Sequence, residues 1–71
     1  MLAGFRGKTP QVPDSCFVSE AAYVMGNVEF GEGCSVWPGA VIRADTPGGV
    51  HGSEMTIGPN SHFEDNTTVH F

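Results

Sequence analysis

Apolar side chains recur along this chain at a fixed interval of six. Val12, Val18, Val24, Phe30, Val36 and Ile42 form one phased run, and Ile57, Phe63 and Val69 form a second. Two residues ahead of these stand Pro10, Cys16, Ala22, Val28, Cys34, Ala40, Met55, Ser61 and Thr67, most of them small. Three residues behind come Ala21, Asn27, Gly33, Gly39, Asn60 and Asn66, mostly the two residue types that tolerate a positive φ. Short strand, turn and short strand at a constant period mark a solenoid. A helix would place apolar residues at i, i+3, i+4 and i+7, and no such stripe persists. Hairpins would alternate around two-residue turns without holding a sixfold phase. The pattern predicts an all-β chain, wound as a parallel β-helix and read as a single short domain over residues 1–71.

Three hexads close a triangular coil of 18 residues, so residue n lies over n−18 at a strand spacing of about 4.8 Å. Cys16 and Cys34 then become stacked neighbours, read as small core thiols in preference to a disulfide. Between Ile42 and Ile57 the interval is 15, which breaks the phase. The intervening "RADTPGGVHGSEMT" is rich in turn formers and reads as a loop protruding at a corner, about residues 46–55. Its glycine pair lacks the Lys-Ser/Thr of a phosphate loop. If Ile57 opens the next coil, the chain makes about three coils, with Phe63 on Val36 and Val69 on Ile42. The residues that follow point outward, because side chains alternate along a strand. Glu64 then lies over Trp37 and His70 over Arg43, which gathers Arg43, Asp45, Glu64 and His70 along one outer edge.

Composition narrows the function classes. Net charge is −5 with only three basic residues, so no phosphate-binding surface is expected and neither nucleic acid nor an anionic membrane is a partner. No apolar run approaches the roughly 20 residues of a membrane span, and "MLAGFRGKTP" has no apolar leader core, which points to the cytoplasm. Two cysteines are too few for a disulfide scaffold. A chain this short buries only about 60% of its surface on folding, which favours a partner.

"FRGKTPQV", "FVSEAAYVMGNVEFGEGCSVWPGAVIRAD" and "TIGPNSHFEDNTTVH" resemble the N-terminal part of γ-class carbonic anhydrases, and "SVWPGAVIRAD" is the most specific segment. The resemblance implies a left-handed β-helix, assembly as a homotrimer, and zinc-dependent hydration of CO2 to bicarbonate, with iron as the alternative metal. It implies that Arg43 and Asp45 lie near a subunit interface beside the metal, and that His70 is the first of three histidine ligands. Glu64 stands where the family carries a glutamine that orients bound water or bicarbonate, and it adds negative charge. Thr46 occupies a place where some members carry an acidic proton shuttle, for which Glu54 is a conceivable substitute.

A catalytic zinc needs three protein ligands and an open position, and His70 is one. His51, in the loop, and His62, on an outward position, read as solvated surface. Two other functions therefore stand beside the enzyme: a non-catalytic β-helix module that oligomerises through its open strand edges, and a hexapeptide acyltransferase relative, which this chain is too short to equip with a donor groove.

Overall fold

The computed structural model describes residues 1–46 and 52–71. The central part of the expected loop, His51 included, lies outside the described residues. Nine short strands form among the rest: β1 (Leu2–Ala3), β2 (Phe17–Val18), β3 (Tyr23–Gly26), β4 (Val28–Phe30), β5 (Ser35–Val36), β6 (Val41–Ala44), β7 (Met55–Ile57), β8 (His62–Phe63) and β9 (Thr68–His70). No helix among the described residues is long and apolar enough to cross a membrane.

Strands that follow one another in sequence lie on different faces, and every strand pairs in parallel with one a full turn away. The first face carries β1-β3-β6-β9, the second β2-β5-β8 and the third β4-β7, extended by a parallel bridge between Gln11 and Glu29. This is a parallel β-helix, and its register follows the sixfold phase. Phe17 pairs with Ser35 and Tyr23 with Val41, an offset of 18. Beyond the loop, Val36 pairs with Phe63, Ile42 with Val69 and Arg43 with His70, an offset of 27.

The alternating pattern becomes alternating burial. Ala22, Val24, Val28, Phe30, Cys34, Val36, Ala40, Ile42, Ala44 and Ile57 form the core. Val12, Cys16, Val18, Met55, Phe63 and Val69 pack against it from the two ends, half-buried. Both cysteines remain free thiols. Their sulfurs approach the Gly31 carbonyl at 3.2 and 3.3 Å, a weak interaction that occupies both inward-facing groups.

Corners fall where expected at Gly33, Gly39, Asn60 and Asn66, each with positive φ. These four are coupled between coils. A Cβ on Gly33 would strike the Asn60 amide, and one on Gly39 would strike that of Asn66. Each asparagine thus fits only because a glycine lies beneath it. Two corners depart from the hexad reading: Ala21 does not take a positive φ, and at the next corner the left-handed residue is Gly26 (φ 90°), not Asn27. β3 extends one residue further, and Gly26 pairs with Ala44, whose carbonyl oxygen occupies the space a Cβ would need.

The first strand also departs from the phase. Leu2 pairs with Val24 at an offset of 22. The extra residues are taken up by a tight turn at Phe5–Lys8, closed by Phe5 N–H to Lys8 O (2.8 Å) and Lys8 N–H to Phe5 O (3.1 Å). Arg6 and Gly7 both have positive φ, the twist of a type I′ hairpin turn.

Candidate functional site

Coil stacking brings together three of the four expected site residues. Arg43 on β6 and His70 on β9 are register partners, and the Phe71 amide donates to the Arg43 carbonyl at 2.9 Å. Both side chains point outward, since the flanking Ile42 and Val69 point into the stack. Asp45 follows β6 by one residue and turns its carboxylate between them. Its Oδ2 lies 3.3 Å from Arg43 Nη1, and its Oδ1 accepts from His70 Nε2 at 2.8 Å.

The burial of the three is unequal. The Asp45 side chain is 13% exposed, against 40% for Arg43 and 45% for His70. A mostly covered carboxylate thus holds two accessible cationic or donor groups by its two oxygens. Such a bridge limits the rotamers of both. With Nε2 on Asp45, Nδ1 is the His70 ring nitrogen left for another partner. A ring nitrogen held by a carboxylate while the other is available is the arrangement that orients metal-bound histidines.

Thr46 and Ser53 close the base of the loop: Thr46 N–H donates to Ser53 Oγ (3.0 Å), and Ser53 N–H donates to Thr46 O (3.1 Å). This clamp follows Asp45 directly and fixes where the chain leaves the coil. Glu64 sits on another face, beyond β8, exposed and in line with Trp37, whose amide donates to the Phe63 carbonyl at 2.9 Å. Its carboxylate makes no ion pair among the described residues.

His62 is exposed, as expected of an outward position. Its Nδ1 nevertheless lies 2.6 Å from Ser35 Oγ, which also accepts from Trp37 Nε1 at 2.8 Å. The offset of 27 that stacks His70 on Arg43 also places His62 on Ser35, so this pair was available to the same rule.

Among the described residues no group of three or more His, Cys, Asp or Glu side chains is placed to hold an ion. His70 with Asp45 offers one imidazole ligand and its orienting carboxylate, short of the three ligands a catalytic zinc requires.

No family model matches the chain. It is 36% identical over 63 residues to gamma carbonic anhydrase 2, mitochondrial, of Arabidopsis thaliana, a match covering 89% of this chain and 20% of that protein. It is 38% identical over 61 residues to a carbonic anhydrase of Geobacillus kaustophilus, covering 86% of this chain and 34% of that one. Gamma carbonic anhydrase 1, mitochondrial, of Arabidopsis thaliana is 35% identical over 63 residues, 89% and 21% of the two chains. The chain spans about a fifth to a third of the length of these curated relatives. With the parallel β-helix and this likeness over nearly its whole length, the chain belongs to a γ-carbonic-anhydrase-like family.

Proposed function

We propose that the chain builds the Arg43–Asp45–His70 side of a site that handles CO2 and bicarbonate, completed by ligands from other copies in a homotrimer. The left-handed sense of the coil belongs to the same reading. What supports it is the bridge from Asp45 to residues of two successive coils, in a chain whose relatives are named carbonic anhydrases.

In this arrangement Asp45 occupies Arg43 Nη1, and the other guanidinium N–H groups can engage two oxygens of bicarbonate side by side. His70 presents Nδ1 toward the shared site. Glu64 takes the role of a water- or bicarbonate-orienting acceptor only if oligomerisation brings its face against another copy. Zinc, or iron, when bound in such a site supplies an acidic water. No hydration step is assigned to a single copy, whose described residues hold no group of three metal-ligating side chains.

Stopped-flow CO2 hydration on the native oligomer tests the reading. It predicts hydration above the uncatalysed rate, lost with His70→Ala and reduced about tenfold or more with Arg43→Ala, the size of effect of removing a charged hydrogen-bond donor. Oligomers without metal and without hydration would contradict it. That outcome would favour the second reading, a non-catalytic oligomerising module, which has its own structural support: among the described residues β7, β8 and β9 have a neighbour on one side only.

A further inference from the structure

The second face, from which the carbonic anhydrase reading draws on Glu64 alone, carries a feature outside that reading. Phe17 on β2 and Trp37 just past β5 pack their rings at 5.0 Å and 49°, yet remain 49% and 40% exposed. The indole N–H donates inward to Ser35 Oγ, and Ser35 Oγ meets His62 Nδ1. The only polar atom of the Trp37 indole is therefore engaged, and what the ring turns to solvent is carbon. Phe17 and Trp37 form a ring pair over β2 and β5, and Ser35 ties it to the His62 ring on β8.

The charged side chains around these rings have one sign, although the Met1 ammonium lies at the Ser19–Glu20 corner, 3.4 and 3.5 Å from the two carbonyl oxygens. Exposed Glu20, Glu64 and Asp65 stand at the corner that follows these strands, and exposed Asp14 and Glu32 at the corner that precedes them. The three basic residues of the chain lie elsewhere: Arg6 and Lys8 on the hairpin turn, Arg43 on the first face beside Asp45. Electron-rich faces rimmed by carboxylates attract cations and repel phosphates. A guanidinium suits both parts, since it stacks flat on an indole and hydrogen-bonds a carboxylate edge-on.

We propose that this face is a docking surface for an arginine-bearing basic segment of a partner protein, seated on Trp37 and Phe17 and held by the carboxylates of the two corners. Trp37 is the single tryptophan, so its emission reports occupancy directly.

The test is titration of the full chain with a short oligo-arginine peptide, followed by Trp37 fluorescence and by calorimetry. The proposal expects a saturable change in Trp37 emission, and weaker binding of the lysine counterpart at equal charge. The citrulline counterpart, isosteric and neutral, should not bind. Trp37→Leu should weaken calorimetric binding about fivefold, the scale of one cation–π contact. Neutralising the rim with Glu20→Gln and Asp65→Asn should weaken it about threefold. Glu29→Gln with Glu54→Gln, the same change of net charge elsewhere, should leave it within experimental error. Equal losses from the two charge pairs, binding without a Trp37 response, or citrulline binding as well as arginine would each overturn the proposal. So would an oligonucleotide that competes for the face.

Discussion

The middle coil and the last coil carry the same hexad pattern and meet different fates. Val28, Phe30, Cys34, Val36, Ala40, Ile42 and Ala44 are buried, whereas in the last coil only Ile57 is buried and Phe63 and Val69 are half-exposed. Ile42 lies between Val24 and Val69, while Val69 has Ile42 on one side alone. Burial in a solenoid is thus supplied by neighbours above and below, and the repeat only states which side chains are eligible for it. The site sits at the seam of this difference, with Arg43 from the dry coil and His70 from the open one.

The largest effect should come from cutting a side chain at the centre of the stack. Ile42→Ala is expected to cost about 3 kcal/mol in urea denaturation, as for a buried aliphatic truncation that leaves a cavity. Val69→Ala should cost about 1 kcal/mol, because solvent already reaches the site. Equal costs would mean that something covers the last coil in solution, and a concentration-dependent midpoint would identify that cover as another copy.

Glycines sharpen the contrast at the next level. Gly26→Ala should cost about 2 kcal/mol or more, since its φ of 90° is strained for an L side chain and its Cβ would meet the Ala44 carbonyl. Gly58→Ala, on the last coil, meets nothing within 4 Å and should be close to neutral. A near-neutral Gly26→Ala would show that the close approach of Gly26 to the Ala44 carbonyl yields at little cost.

A change in the site itself should also cost little stability. Asp45→Asn loses an ion pair to a partly exposed arginine and a charge-assisted bond to an exposed histidine, so its cost should stay below about 1 kcal/mol. Its consequence should instead be positional. The His70 ring resonances should broaden or shift in NMR, while those of His62, held by Ser35, stay in place.

These regions also differ in how far they could be read from sequence. The strand pairing of the middle and last coils was legible, including the stack of His70 on Arg43, because one spacing rule holds within each of the two phased runs, Val12 to Ile42 and Ile57 to Val69. The first strand was not, because the Arg6–Gly7 turn inserts residues where no apolar phase exists to count against. Gly26 was missed for a related reason: the hexad places a turn without saying which of two adjacent residues takes the left-handed conformation. The collision of a Cβ with Ala44 decides it, and that collision appears only once the coils are stacked. Asp45 could be placed near its partners, but not its orientation, since it lies past the end of β6 where alternation no longer dictates direction. The Ser35–His62–Trp37 group was within reach of the rule and was passed over because its three members are each ordinary surface residues.

The most direct test of the central claim, that His70 and Asp45 form one share of a metal site a single copy cannot complete, is native mass spectrometry with elemental analysis of the purified chain. The account predicts zinc or iron at about one per subunit in a defined oligomer, none in the monomer, and loss of metal with His70→Ala. Stoichiometric metal on the monomer, or metal in the oligomer that survives His70→Ala, would contradict it.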